Sequence, residues 1–146
     1  MQEDWEIWNE VLDRATASGV HSLNEKEQAV YLVNGFLTDF ENGGLSGLLY
    51  NLAPAKGRRP NDWSELRTTV AALRTVGAVG AADEFLNLTK ALESIESSGT
   101  NWGDFLSQVS PGLLSSVEAA LSSTAPEIWE LLSSYTQAQR ASLVHA

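Results

Sequence analysis

Two adjacent glycines, Gly43 and Gly44, interrupt the longest apolar helical pattern in this chain, and that interruption limits the fold more than any other feature. Upstream, Asn24 is followed three residues later by Glu27, the spacing at which two side chains can each accept a backbone amide that the first helical turn leaves unpaired. A helix is therefore expected to begin near Glu25. Val30, Val33, Leu37 and Phe40 recur at helical spacing with Ala29 and Phe36 beside them, which makes one broad face apolar. Glycine enters the left-handed region without a Cβ penalty, so Gly43 is expected to end this helix and Gly44 to let the chain reverse into residues 45–51. The turn Glu41-Asn42-Gly43-Gly44 is expected to be sharp and buried.

The rest of the chain follows the same helical logic. Between Gln2 and Ser18, Trp5, Trp8, Val11, Leu12 and Ala15 share one side of a helix that Gly19 ends, and the tryptophans are read as core. On the other side Glu3, Glu6, Glu10 and Asp13 step by three, four and three, which places four carboxylates in one narrow row. Residues 52–61 read as a loop, punctuated by Pro54, Gly57 and Pro60 and carrying Lys56, Arg58 and Arg59. Asp62 and Glu65 have capping-box spacing, and Trp63, Leu66, Val70 and Leu73 form a stripe that runs to Gly77. A helix over 81–96 buries Phe85, Leu88, Leu92 and Ile95, and the short link through Gly77 and Gly80 makes it the antiparallel partner of its predecessor.

Beyond the break at Ser97-Ser98-Gly99, Trp102, Phe105, Leu106 and Val109 suggest a short helix. Ser110-Pro111 is a good helix start, with Leu113, Leu114, Val117 and Leu121 inside, and Ser122-Ser123 loosens the end. Thr124-Ala125-Pro126-Glu127 is expected to open a further helix that buries Ile128, Leu131, Leu132 and Tyr135. No strand-like alternation recurs, and no repeat of solenoid period is present. The fold class is all-α: a single-domain irregular bundle of about seven helices.

A length of 146 residues suits one domain. Nineteen acids against nine bases give a formal charge of −10, which disfavours nucleic acid and anionic membranes as direct partners and favours a basic protein. The bases concentrate in the middle: residues 1–55 hold nine acids and two bases, 56–90 four and six, and 91–146 six and one. The basic loop could meet acids of a second copy, so a homodimer is expected. There is no cysteine, the N-terminus is acidic where a signal peptide needs basic residues, and no run is apolar enough to span a bilayer. A cytoplasmic location is expected.

Catalytic residues, a metal site and a cofactor are not expected. His21 and His145 lie in a helix-end loop and the tail, without the helical neighbours of a metal site or a base and nucleophile pair. Ser46 lacks the second glycine of a nucleophile elbow, since Leu48 stands there. The glycines near Asp39 and Glu41 would repel phosphate, and those two carboxylates, two apart, face different directions. Asn34, Asn42, Tyr50 and Asn51 are read as satisfying backbone groups opened by the turn, with a small pocket as the alternative.

Tyr31-Leu32-Val33-Asn34-Gly35-Phe36, Glu41-Asn42-Gly43-Gly44-Leu45, Tyr50-Asn51 and Leu73-Arg74-Thr75-Val76-Gly77-Ala78 carry a resemblance over roughly 5–135. The chain resembles a family of small acidic all-helical bacterial proteins whose best-known member is a dimeric DNA mimic that occupies the DNA-binding surface of a transcription factor. What the resemblance implies is a non-enzymatic module that binds a basic, nucleic-acid-binding protein and does not itself bind DNA. Glu3, Glu6, Glu10 and Asp13, joined by Asp39 and Glu41, are the candidate partner-binding residues, and Asn42, Gly43 and Gly44 the structural turn. The alternatives are an immunity or antitoxin-like inhibitor of a basic nuclease and a small enzyme with an unrecognised pocket.

Overall fold

The computed structural model describes residues 2–52, 64–95 and 106–143. Asn24 and Glu27 cap a helix start as their spacing implies: Asn24 Oδ1 accepts the Glu27 amide at 2.8 Å, and Glu27 Oε1 accepts the Asn24 amide at 3.0 Å. Six α-helices occur among the described residues: α1 (Asp4–Ser18), α2 (Glu25–Leu52), α3 (Ser64–Thr75), α4 (Val79–Glu93), α5 (Pro111–Ala138) and α6 (Arg140–Leu143). A 3₁₀ turn, Val20–Ser22, joins α1 to α2. The architecture is the expected all-helical bundle.

Inside α2 the chain doubles back at Gly44, whose φ of 64° and ψ of −161° lie in a region open essentially to glycine alone. A Cβ placed on Gly47 would stand 3.7 Å from the Asp39 carbonyl oxygen, although residues eight apart in a straight helix are separated by about 12 Å. The reversal is therefore sharp, but it turns on Gly44 and not on Gly43, which has no positive φ. Gly43 still completes the last turn of the first segment. Nor is the turn buried: Glu41, Asn42 and Gly43 are exposed, and only at Leu45 does the chain re-enter the core.

The amide that the break would leave unpaired, that of Leu45, donates to Glu118 Oε1 of α5 at 3.0 Å. A carboxylate at a helix start both satisfies a free amide and complements the positive end of the helix dipole. The approach is so close that a Cβ on Gly44 would lie 2.5 Å from that oxygen. Gly44 is thus required twice, by its backbone angles and by Glu118.

The hairpin of α3 and α4 is antiparallel, with Arg67 paired to Glu93 at its open end and Arg74 to Asp83 at 2.8 Å near the turn. Gly77, at φ 94°, closes α3: its amide donates to the Arg74 carbonyl at 3.0 Å and that of Ala78 to the Leu73 carbonyl at 2.8 Å. The expected cap at Asp62 and Trp63, the basic loop with Lys56, Arg58 and Arg59, the residues Trp102 and Phe105, and the tail at His145 lie outside the described residues.

Two expected helices are one. α5 runs unbroken through Pro126, because the proline is exposed and the Ser122 carbonyl that loses its amide partner lies on the same solvent side. Leu121, Ala125 and Ile128 are buried around it and keep both halves in register. The core collects Val30, Val33, Leu37 and Phe40 of α2, Leu66 and Leu73 of α3, Phe85, Leu88 and Leu92 of α4, and Val117, Ile128 and Leu132 of α5. Phe36 meets Phe85 edge to face, with ring centres 5.4 Å apart.

Gly44→Ala is expected to destabilise the protein by about 2 kcal/mol or more, through an unfavourable φ and displacement of Glu118. Gly43→Ala, whose Cβ meets nothing within 4 Å, should instead be neutral or stabilising by up to about 1 kcal/mol. Urea titrations of the two variants measure the contrast, and equal midpoints would remove this account of the turn.

Candidate functional site

A helix becomes a charged surface when acids repeat on its solvent side and no base lies among them to offset their charge. On α1 the row begins at the N-cap, where the Glu3 carboxylate accepts the Glu6 amide and Glu6 Oε1 accepts the Glu3 amide at 3.1 Å. One turn on, Glu10 Oε1 accepts from Gln2 Nε2 at 2.6 Å. Asp13, the last of the row, is exposed and makes no hydrogen bond or ion pair with the described residues. The acids at the helix start also stabilise the helix through its dipole. Hydrogen bonding orients these carboxylates without cancelling their charge.

The opposite side of α1 differs from expectation. Ile7, Val11 and Ala15 are the buried residues, while Trp5 is 60 % exposed and Leu12 49 %. Asp4 takes the interior position at this end, accepting hydrogen bonds from Ser133 and Gln137 of α5, and Trp5 is displaced to the rim. Trp8 is half-buried, and its Nε1 donates to Thr136 Oγ1 at 2.8 Å.

The one base of α1 is turned away from the row. Arg14 stands one helical turn beyond Glu10 and beside Asp13, yet it pairs with Glu27, whose side chain is only 2 % exposed, and donates to the Leu143 carbonyl at 2.9 Å. Arg67 and Arg74 are paired with Glu93 and Asp83 on α3 and α4. At the start of the row Arg140 donates to the Gln2 carbonyl and not to a carboxylate. Internal pairing thus consumes the charge of Arg14, Arg67 and Arg74, while Arg140 keeps its charge at the start of the row.

The other two candidate acids stand apart from the row. Glu41 accepts from Trp129 Nε1 at 2.5 Å, and Trp129 packs on Trp8 with ring centres 5.6 Å apart and planes tilted by 34°. Asp39 lines a cavity of about 360 Å³ between α1, α2 and α3, whose described walls include Trp8, Leu12, Tyr31, Leu32, Phe36 and Leu52 with the polar Asn34, Thr38, Asn51 and Thr69. Of the four polar residues read as serving the turn, Asn34 and Asn51 face this cavity, while Asn42 and Tyr50 are exposed. Glu118 performs the task assigned to them.

Sequence reasoning missed Glu118, Trp129 and the inward role of Arg14. The need of a tryptophan ring nitrogen for one acceptor was a signal for Trp129. Nothing local identified Glu118, which lies 73 positions from its partner. Burial raises the Tyr135 phenol above its ordinary value, so this side chain is neutral at neutral pH. Among the described residues no group of three or more histidines or acids is placed to hold a metal ion, and no helix is long and apolar enough to cross a membrane.

A family model described as DMP19-like protein matches residues 21–139, well over half of the chain. No curated protein and no solved structure matches it.

The coupling of Arg14 to Glu27 is open to a double-mutant cycle. Glu27→Gln retains a side-chain acceptor for the Asn24 amide but removes the buried negative charge, and should cost about 2–4 kcal/mol. Adding Arg14→Gln should cost much less than the sum of the two single changes, a coupling of about 1 kcal/mol or more by urea titration. Additive losses would show that the pair is not a unit.

Proposed function

The chain belongs to the DMP19-like protein family, and from that premise we propose that it is a non-enzymatic acidic docking protein that occupies the DNA-binding surface of a basic protein in place of DNA. The observation that carries this reading is the outward row on α1: Arg14, the one base on that helix, is paired with buried Glu27, and among the described residues no base forms an ion pair with Glu3, Glu6, Glu10 or Asp13. Four carboxylates over about 15 Å give one charge per ~4–5 Å, close to the one phosphate per ~3.4 Å of a DNA strand. A surface that binds DNA phosphates is matched by such spacing. The −10 charge speeds encounter with a basic partner and repels DNA itself.

Replacing all four acids of the row by Gln tests this directly. Amide oxygens retain the capping geometry at Glu3 and Glu6, so stability should stay within about 1 kcal/mol of the parent, while affinity for the partner isolated by pull-down falls at least tenfold. Association should slow as salt rises past about 0.15 M, where attraction between charges more than ~8 Å apart is largely screened. The partner should hold either DNA or this protein. A stable ternary complex on one DNA-binding face would exclude mimicry, and capture of a nuclease in place of a regulator would move the reading to inhibition. The resemblance also implies a dimer, for which sedimentation should give twice the chain mass; a monomer at every concentration and ionic strength would reject it.

A further inference from the structure

The cavity beside α1 contains a glycine that the fold does not require. Gly35 lies within the first segment of α2, exposed, without a positive φ, and a Cβ there would meet no described atom within 4 Å. Neither backbone strain nor close packing accounts for it, and a glycine inside a helix weakens the helix. Its effect is to keep the wall of the cavity free of a side chain. Trp8, Leu12, Tyr31 and Phe36 make the remaining wall largely apolar, and Leu12 forms an exposed rim. At about 360 Å³ the space is at the small end of ligand sites, suited to one large side chain and not to a whole helix.

We propose that this cavity receives a large apolar side chain of the basic protein that docks on the acidic row, so that the row steers the partner and the cavity anchors it. The inference rests on the docking reading above. Charge complementarity selects the occupant: Asp13 follows Leu12 directly on α1, about 100° around the helix, so a partner covering the outer side of this helix meets that end of the acidic row and the rim of the apolar opening together. Phosphate mimicry alone gives an association that salt abolishes, whereas an apolar anchor adds affinity that salt does not screen.

The test uses the full chain and two synthetic helical peptides of about 18 residues with equal numbers of lysines, one carrying leucines at helical spacing and the other alanines in their place. Calorimetry should show the leucine peptide binding about tenfold tighter or more, with that margin retained at ~0.5 M salt. Gly35→Leu, which fills the cavity from its wall, should remove the margin while leaving the alanine peptide within about twofold of its parent affinity. Leu12→Ser at the exposed rim should reduce the margin in the same direction, and it decides the matter if Gly35→Leu does not fold. Equal affinities of the two peptides, or a margin untouched in the folded variants, would overturn the anchor. If both peptides bind equally and the four-Gln variant weakens both, the acidic row stands and the cavity falls. If neither binds, both readings fail.

Discussion

Much of this protein depends on where one buried carboxylate finds its partners. Glu27 caps the start of α2 through the Asn24 amide and holds Arg14 of α1, which reaches on to the Leu143 carbonyl at the end of α6. Asn24 Nδ2 donates to the neighbouring Ser142 carbonyl at 2.8 Å, so the same corner joins the helix start to the chain's far end. An acid that is 2 % exposed is tolerated because its charge is met by a guanidinium and its second oxygen by an amide. The arrangement also sorts charge. By drawing Arg14 inward it leaves the outer row of α1 without a base of its own, so a structural contact determines the surface potential.

The second organising contact is polar as well. Most helix starts find a cap within a few residues, but the second segment of α2 begins immediately after Gly44 and has Glu118 as its acceptor. The chain thereby gains a tight reversal that places Gly47 against Asp39, and α5 is fixed against the break. Trp8, Trp129 and Glu41 extend this pattern. An indole that stacks on its neighbour while donating to Thr136 or Glu41 provides apolar area and a directed hydrogen bond together, and it ties α1, α2 and α5 into one body.

These contacts bear on function through the division of charge between inside and outside. Arg67 and Arg74 of α3 are paired with Glu93 and Asp83 of α4, where exposed ion pairs add little to stability but neutralise local charge. Among the described residues the acids of the α1 row form no ion pair. Trp5 and Leu12 are exposed on the same helix, Leu12 at the edge of the cavity, and the docking proposed above would use the acids for steering and the apolar opening as an anchor.

Taken alone, the sequence determined the helical class, the reciprocal cap at Asn24 and Glu27, the core stripe of α2, the antiparallel α3–α4 hairpin and the spacing of the acidic row. Each of these depends on residues no more than a few turns apart, where helical periodicity and capping geometry fix the outcome. It placed the positive φ on Gly43 when Gly44 carries it, buried Trp5 when Asp4 took the interior position, and divided α5 at Pro126. Those three outcomes were decided by Glu118, by Ser133 with Gln137, and by the buried residues on either side of the proline. The first two of these partners are distant in sequence, and in the third burial in the bundle overrides the local signal. Only the tertiary structure could turn Arg14 inward and keep the Gly35 cavity open, because a side chain's direction and the space around it are set by what packs against it from other helices.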